Sequence, residues 1–286
     1  MGSAALSEVL ADLIAKKFIA RPDVKAIQFP DGAWMPHQQH DPSTGRMTGP
    51  RIPWNRPDLN AHLAGDRTFG HYLLSPDDQC KLFAFDIDLE KNSGPDIEEG
   101  DSRYHRGYWP DDDGVIHEFD AREAWQDRAH PSRKWTKYQL RMISARLMKI
   151  IHEELELPCA MAYSGGKGVH VYAFTGLISA ADARDGAGIV LETLGGWKAS
   201  RGDNFFRSED TLPITGYPNL SIEVFPKQDS LAGKDLGNLM RLPLGRNLKS
   251  TDPTFFVDIN APMTELRPVD PEYALTTTNP WKLPNE

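Results

Sequence analysis

The spacing of apolar residues along the chain predicts four helices. Apolar side chains recur every three or four positions in residues 6–18 and 135–155, which places them on one stripe of an α-helix. A third helix is predicted over residues 180–194 and a short one over residues 57–64. Each apolar stripe needs a surface to cover it, so the helices are expected to pack against a sheet.

Short apolar runs between these helices predict the strands. They lie at residues 24–29, 72–74, 82–89, 160–163, 169–175, 220–225 and 238–244. Several strands follow one another directly, and a Ser-Pro-Asp-Asp turn at 75–78 separates two of them. This order favours an α+β fold, with mixed or antiparallel sheets and helices packed on one face, over a doubly wound parallel sheet.

Other parts of the chain are predicted to have little regular structure. Residues 36–55 are rich in turn-forming residues and are expected to form a surface loop. Residues 91–133 are acidic and contain Gly, Pro and aromatic residues, which indicates an insertion. We predict a single domain with an N-terminal α/β part (1–66), a core that carries the insertion (67–250) and a C-terminal tail (251–286).

The formal net charge of −9 is unevenly distributed. Residues 86–133 hold 14 acidic and 6 basic residues, whereas residues 134–250 hold 12 acidic and 15 basic ones. Phosphate contacts are local, and salt screens charges over about 10 Å. The overall charge is therefore compatible with nucleic-acid binding but predicts that such binding is weak and salt-sensitive.

The cysteine count and the apolar runs bear on location. Two cysteines are too few for a disulfide scaffold or a cysteine-rich zinc module. The longest apolar runs, such as residues 169–174, are far too short to cross a bilayer. A reducing, cytoplasmic setting without a membrane segment is therefore expected.

Two aspartates interrupt an apolar strand. In the run Phe85-Asp86-Ile87-Asp88, residues two apart project to the same face, so the two carboxylates point together. Such carboxylates repel each other unless a cation lies between them, and oxygen ligands suit Mg²⁺ or Mn²⁺. For this motif alone, the alternative is a strand with one solvent-exposed acidic face.

A glycine-rich turn lies between two predicted strands, with the sequence Ser164-Gly165-Gly166-Lys167-Gly168-Val169-His170. Its glycines let backbone N–H groups turn towards an anion, while Ser164, Lys167 and His170 add a hydroxyl, a charge and an imidazole. The spacing differs from that of a P-loop. The alternatives are a hairpin with an incidental lysine and a structural histidine.

A third acid and an arginine interrupt later apolar runs. Glu223 lies between Ile222 and Val224, and Arg241 lies between Met240 and Leu242. An arginine in an apolar run needs a partner, which a polyphosphate or a DNA phosphate would supply. An edge-strand glutamate and a buried ion pair are the corresponding structural alternatives.

Taken in order, these motifs resemble the archaeo-eukaryotic primase superfamily. Its members share an Asp-x-Asp strand, a Ser/Gly-rich turn that ends in His, and a third acid on a later strand. The resemblance covers residues 67–246, and the turn at 164–170 is its most specific part, in the form seen in phage and plasmid primase-polymerases. Two features depart from the family: the acidic insertion has no counterpart, and the third acid is Glu where many relatives have Asp.

The resemblance implies an RRM-like catalytic core and template-directed nucleotidyl transfer with Mg²⁺ or Mn²⁺. Asp86, Asp88 and Glu223 would hold two metal ions. The implied nucleotide-binding residues are Ser164, Gly165, Lys167, His170, Arg241, Lys227 and Arg246. The implied partners are a single-stranded DNA template with its primer, ribo- or deoxynucleoside triphosphates, and a helicase or other replication proteins on separate chains.

Some functional interpretations stay open. Trp34 and Trp54 could stack on template bases or pack in the interior. An inactive nucleic-acid-binding replication module is one alternative function, which the presence of all three acids and the histidine disfavours. A metal-dependent nuclease is another, although it has no use for a triphosphate cradle.

Overall fold

Five helices and fifteen strands lie in the part of the chain that the computed structural model describes, which is residues 3–89, 106–111, 113–120, 127–210, 216–217 and 219–281. The helices are α1 (Ser3–Phe18), α2 (Arg56–Leu63), α3 (Ser132–Leu155), α4 (Ala180–Leu194) and α5 (Pro271–Thr276). The strands are β1 (Ala26–Gln28), β2 (Trp34–Pro36), β3 (Gln38–His40), β4 (Met47–Arg51), β5 (Phe69–Tyr72), β6 (Gln79–Leu89), β7 (Arg106–Pro110), β8 (Ile116–Asp120), β9 (Cys159–Tyr163), β10 (Gly168–Ser179), β11 (Trp197–Ala199), β12 (Phe205–Ser208), β13 (Leu220–Phe225), β14 (Leu239–Arg241) and β15 (Phe255–Phe256).

Seven strands form the larger sheet, in the order β11-β12-β13-β6-β10-β9-β15. Each neighbouring pair in it is antiparallel. The long strand β6 lies at the centre, between β10 and β13. The prediction of an α+β fold with antiparallel sheets is confirmed.

One face of the larger sheet is covered by α3 and α4. Alternate residues of β6 point to this face, and Phe83, Phe85 and Ile87 are fully buried there with the apolar stripes of both helices. Ser179 caps α4, because its hydroxyl accepts a hydrogen bond from the backbone N–H of Asp182 at 3.0 Å. Strand alternation and helix spacing therefore bury complementary surfaces.

The opposite face of the larger sheet is covered differently. Leu82 and Ala84 of β6 are buried there with Phe18 of α1, whose ring packs edge-on against that of Tyr172, with the centroids 5.0 Å apart. The expectation that the helices pack on one face is wrong for α1. The cause is the second set of alternate β6 residues, which also needs apolar cover.

A smaller, four-stranded sheet has the order β14-β5-β1-β2. Its strands pair antiparallel, and Arg241 of β14 lies opposite Gly70 of β5. A Cβ at Gly70 would be only 2.8 Å from the Met240 carbonyl oxygen, so the close pairing of β5 with β14 requires glycine there. This sheet brings Arg241 towards the larger sheet.

Several segments predicted to be irregular contain strands. Strands β3 and β4 pair within residues 36–55, and β7 and β8 form a hairpin in the predicted insertion. The tail contains strand β15 and helix α5. Strands β11 and β12 were also not predicted. The strands that were missed have two to five residues each, and β3 (Gln-Gln-His) has no apolar residue that would indicate a strand. Residues 90–105 and 121–126 of the insertion lie outside the described residues.

No helix in the described ranges combines the length and the apolar character needed to cross a bilayer.

Candidate active site

Three acidic residues share one face of the larger sheet. Asp86 and Asp88 lie two residues apart on β6, on the same face as Leu82 and Ala84. Glu223 of β13 lies directly opposite Asp86 in the antiparallel register. Cβ atoms in such positions are about 4.5–5.5 Å apart. The structure therefore brings the three predicted acids together.

The environment of the two aspartates disfavours their charged forms. Burial raises the pKa of Asp86 to about 7, and the negative charge of Glu223 adds to that effect. Burial also raises the pKa of Asp88 to about 6, with the charge of Asp86 as the second cause. The buried Oδ1 atom of Asp86 accepts no hydrogen bond from any described residue. The positive charge around this cluster therefore does not offset the effects of burial and of repulsion between the carboxylates.

Two lysines partly supply that charge. Lys167 Nζ lies 3.0 Å from Asp88 Oδ2 and donates to the Leu89 carbonyl oxygen at 2.6 Å. Lys227 Nζ lies 2.5 Å from Glu223 Oε1. In this arrangement, no three His, Cys, Asp or Glu side chains of the described chain form a metal-ligand cluster. A cation held by all three acids must displace these ion pairs.

The chemistry of the acidic residues fits a hard divalent cation nonetheless. All the available ligand atoms are carboxylate oxygens, which Mg²⁺ and Mn²⁺ prefer. The Oδ1 atom of Asp86 is a buried acceptor whose hydrogen-bonding capacity is unused within the described chain. A bound cation would satisfy that atom and lower the pKa of both aspartates.

The glycine-rich turn connects β9 to β10 beside these acids. Gly168 lies opposite Asp88, and a Cβ there would collide with the Asp88 side chain and the Ile87 carbonyl group. Gly165 has a positive φ of 69°, which favours glycine. Its carbonyl oxygen accepts hydrogen bonds from Asn247 Nδ2 at 3.0 Å and from the Ser250 hydroxyl. The turn is therefore fixed from both sides.

The hydrogen bonds of the turn leave some donors available. Ser164 Oγ donates to the Gly168 carbonyl oxygen at 2.9 Å. The backbone N–H groups of Gly165, Gly166 and Lys167 donate to no backbone or side-chain acceptor in the described ranges. Successive N–H groups of this kind can bind an anion.

His170 lies between the turn and the acids. Its Nε2 atom is 3.4 Å from Asp86 Oδ1, and its Nδ1 atom is 2.8 Å from the Tyr172 hydroxyl. Burial, together with the positive charge of Arg241, lowers the pKa of His170 to about 4, so the ring is neutral at pH 7. The facing carboxylate favours the tautomer with the proton on Nε2, with the Tyr172 hydroxyl donating to Nδ1. His170 can therefore donate into the site.

Arg241 reaches the site from the smaller sheet. Its Nη1 atom donates to the Ser164 carbonyl oxygen, and its guanidinium carbon lies 5.7 Å from the ring centroid of Trp34. Its buried Nε atom has no hydrogen-bond partner among the residues that the structure describes. Burial lowers the pKa of Arg241, since the charged group is held away from water.

A cavity of about 600 Å³ lies between the two sheets, which is a volume typical of small-molecule sites. Six of the predicted residues line it: Asp86, Asp88, Ser164, Lys167, His170 and Arg241. Gly165, Glu223, Lys227 and Arg246 are not among its lining residues. Glu223 and Lys227 form their ion pair next to Asp86, whereas the Arg246 side chain is exposed and its carbonyl oxygen accepts from Thr68.

Sequence reasoning missed other lining residues. Asn247, Lys249 and Ser250 form a polar wall, and Phe225 and Met240 an apolar one. A signal for the polar wall is present, because the run Gly245-Arg246-Asn247-Leu248-Lys249-Ser250 directly follows the arginine strand. The two tryptophans separate: Trp34 lines the cavity, whereas Trp54 packs against Phe69 with the ring centroids 5.7 Å apart.

Comparison with known proteins gives one family. The model described as "TOTE conflict system, Archaeo-Eukaryotic Primase domain" matches residues 11–267. The match includes both sheets and every residue named above for the acidic cluster and the cavity. Comparison with the curated proteins gives no match.

Proposed function

The chain belongs to the archaeo-eukaryotic primase family of the TOTE conflict systems, a family of primase-polymerase-like nucleotidyltransferases, and from this premise we propose that it extends polynucleotides on a template. One observation carries the proposal. Two buried polar atoms on residues that line the same cavity form no hydrogen bond with any described residue: the acceptor Asp86 Oδ1, which lies 3.4 Å from His170 Nε2, and the donor Arg241 Nε. The acceptor needs a cation and the donor an anion, and a metal-bound nucleoside triphosphate supplies both.

The acids hold the cations in this proposal. Asp86, Asp88 and Glu223 would hold two divalent ions, Mg²⁺ or Mn²⁺, which would stabilise the negative charge that develops during nucleotidyl transfer. The sheet contributes the alignment, because β6 and β13 hold the three carboxylates in register. Burial contributes a low dielectric, which strengthens each charge interaction.

The glycine-rich turn and its neighbours bind the triphosphate. The backbone N–H groups of residues 165–167 and the Nε2–H group of His170 donate to phosphate oxygens. Arg241 adds a fixed charge that is already positioned by the Ser164 carbonyl group. Lys167, whose Nζ atom lies 3.0 Å from Asp88 Oδ2, would be able to contact a phosphate oxygen if a cation neutralised that carboxylate. Phe225 and Met240 provide an apolar surface for the sugar and the base.

The bond changes follow from this placement. The 3′-hydroxyl oxygen of the primer forms a bond to the α-phosphorus atom and its proton passes to solvent water, while the bond from that phosphorus to the bridging oxygen breaks and pyrophosphate leaves. The nucleotide donors above neutralise charge that accumulates on the leaving group. A nuclease has no use for such a cradle, whereas an inactive binding module has no use for a cation at Asp86.

The test is synthesis by a variant without the aspartate pair. We expect Asp86→Ala combined with Asp88→Ala to reduce primer extension and de novo priming with Mn²⁺ by about a thousandfold or more, which is about 4 kcal/mol of transition-state stabilisation. Pyrophosphate release and chain length are measured together. Asp185→Ala, which removes an exposed acid from α4, is the matched control. Synthesis by the double variant at the wild-type rate overturns the proposal. Release of free nucleotides in place of pyrophosphate by the wild-type protein would identify it as a nuclease.

A further inference from the structure

A second cavity, of about 710 Å³, lies at the start of α3. It shares no lining residue with the acidic cavity. The β7–β8 hairpin supplies one wall, and the segment 128–138, which includes the first two turns of α3, supplies the other. The hairpin belongs to the acidic segment 91–133 and lies within the residues that the primase-domain model matches. We call this cavity the hairpin groove.

Aromatic rings with partly exposed faces line the hairpin groove. Trp135 and Tyr138 of α3 stack on each other, with ring centroids 5.2 Å apart and an interplanar angle of 17°. Trp109 of β7 stacks on His117 of β8, with centroids 4.7 Å apart. Trp109, Trp135 and Tyr138 are all incompletely buried. The groove therefore presents flat apolar surfaces on two of its sides.

The charged residues that line the hairpin groove are mostly basic. They are Arg128, Arg133, Lys134 and Lys137, against the single acid Asp111. Asp111 is engaged by its own hairpin, since its carboxylate accepts from the N–H groups of Asp113 and Val115 and lies 2.8 Å from His117 Nε2. The groove therefore favours an anionic ligand.

The stability of α3 does not account for these cations. The amino end of a helix carries a partial positive charge, so acidic residues are favoured in its first turn and basic residues oppose it. The first turn of α3 contains Arg133 and Lys134 and no acid. These two cations therefore add no stability to the helix through its dipole.

We propose that the hairpin groove binds a single-stranded polynucleotide. Its bases stack on the Trp135–Tyr138 and Trp109 surfaces, and its phosphates lie against Arg133 and Lys137. Planar rings combined with a basic groove are the features that bind single strands without reading their sequence. This assignment deepens the proposed function, on which it rests for the source of the strand, by giving the template a second contact.

Continuity with the acidic site supports a strand as the occupant. Arg128, on the rim of the groove, pairs with Asp252, and the Tyr163 hydroxyl lies 3.4 Å from the same carboxylate. The Tyr163 hydroxyl also donates to the Gly166 carbonyl oxygen in the glycine-rich turn at 2.8 Å. Two side chains, those of Asp252 and Tyr163, therefore separate the rim of the groove from the glycine-rich turn, which places the groove beside the acidic site.

The test is strand binding without metal or nucleotide, measured by fluorescence anisotropy of labelled single-stranded DNA and RNA in EDTA. We expect Trp135→Ala to weaken binding about tenfold. Lys137→Gln is expected to weaken it a few-fold and to reduce the slope of affinity against salt by about 0.7. Lys149→Gln is the matched control, because Lys149 is an exposed lysine on the same helix, in an ion pair with Glu153.

Each outcome decides the inference. Loss of affinity in Trp135→Ala and Lys137→Gln, with Lys149→Gln unchanged, supports it for whichever strand chemistry shows the loss. Wild-type affinity in both groove variants, or no strand binding by the wild-type protein, overturns it. If Trp135→Ala does not fold, Lys137→Gln and Lys137→Glu decide alone. Strand binding is measured without metal or nucleotide and synthesis is measured with both, so failure of the catalytic proposal is distinguishable from failure of this one.

Discussion

The two faces of strand β6 share one backbone but differ in what covers them. On one face, Phe83, Phe85 and Ile87 are completely covered by α3 and α4. On the other face, Leu82 and Ala84 are covered, but Asp86 and Asp88 line an open cavity between the two sheets. The smaller sheet therefore covers only part of this face.

Within the same strand, residues on the covered face stabilise the fold, whereas residues on the cavity face provide candidate catalytic groups. The covered face contributes apolar burial, which favours folding. The cavity face concentrates carboxylates, whose mutual repulsion and burial disfavour the folded state until a cation binds. Substitutions at neighbouring positions of β6 are therefore expected to change stability in opposite directions.

The largest expected effect on stability is on the covered face. Phe85→Ala should lower the free energy of unfolding by about 3–5 kcal/mol, because it removes a fully buried ring from between the sheet and its helices. Urea unfolding in EDTA measures this change. Val9→Ala, at an exposed position of α1, is the control. An unchanged unfolding midpoint for Phe85→Ala contradicts the description of this face as the core.

An intermediate effect of opposite sign is expected for Asp86→Asn in metal-free protein. The folded-state pKa of Asp86 is raised from 3.8 to about 7, so the protonated form is favoured on folding. The contribution of this group to stability is fully present below about pH 4 and is lost as the pH rises through about 7. At pH 8 we therefore expect Asp86→Asn to melt at a higher temperature than the wild-type protein, by a few degrees.

Thermal melts in EDTA between pH 5 and 8 measure this dependence. The wild-type melting temperature should fall more steeply over that range than that of Asp86→Asn. Mn²⁺ should restore the wild-type protein most strongly at pH 8, where the carboxylates are ionised. If the melting temperatures of the two proteins depend on pH in the same way, burial does not raise the pKa of Asp86.

The smallest effect concerns the lysines that face the acids. Lys227→Gln removes the ammonium group that pairs with Glu223. If Lys227 and a metal ion compete for this carboxylate, the Mn²⁺ concentration needed for half-maximal thermal stabilisation should fall roughly two- to fivefold, the scale of a partly exposed ion pair. A higher Mn²⁺ requirement would show instead that Lys227 supports metal binding.

Local sequence patterns predicted the parts of the fold that have strong periodicity. The helix over Ala180–Leu194 and the strand over Leu220–Phe225 have the predicted bounds, and the alternation in β6 placed Asp86 and Asp88 on a common face. The opposition of Glu223 to Asp86 depends on strand register, which arises from tertiary pairing and became an expectation only through the family resemblance.

Other features depend on packing that no local pattern encodes. The ion pair Lys167–Asp88 requires the glycine-rich turn to lie beside β6, from which it is separated by almost eighty residues of chain. The hairpin groove forms between β7 and α3. The acidic, aromatic composition of the insertion predicted little regular structure, whereas β7 and β8 pair as a hairpin within it. Asn247, Lys249 and Ser250 became part of the site because the chain turns back over the glycine-rich turn.

The central claim is that the three acids hold a cation that is needed to bind a triphosphate beside them. Calorimetric titration of a non-hydrolysable deoxynucleoside triphosphate analogue, with Mn²⁺ and with EDTA, tests it most directly. We expect binding by the wild-type protein only with Mn²⁺, and at least tenfold weaker binding by Glu223→Gln. Equal affinity in Mn²⁺ and EDTA, or wild-type affinity in Glu223→Gln, would contradict the account.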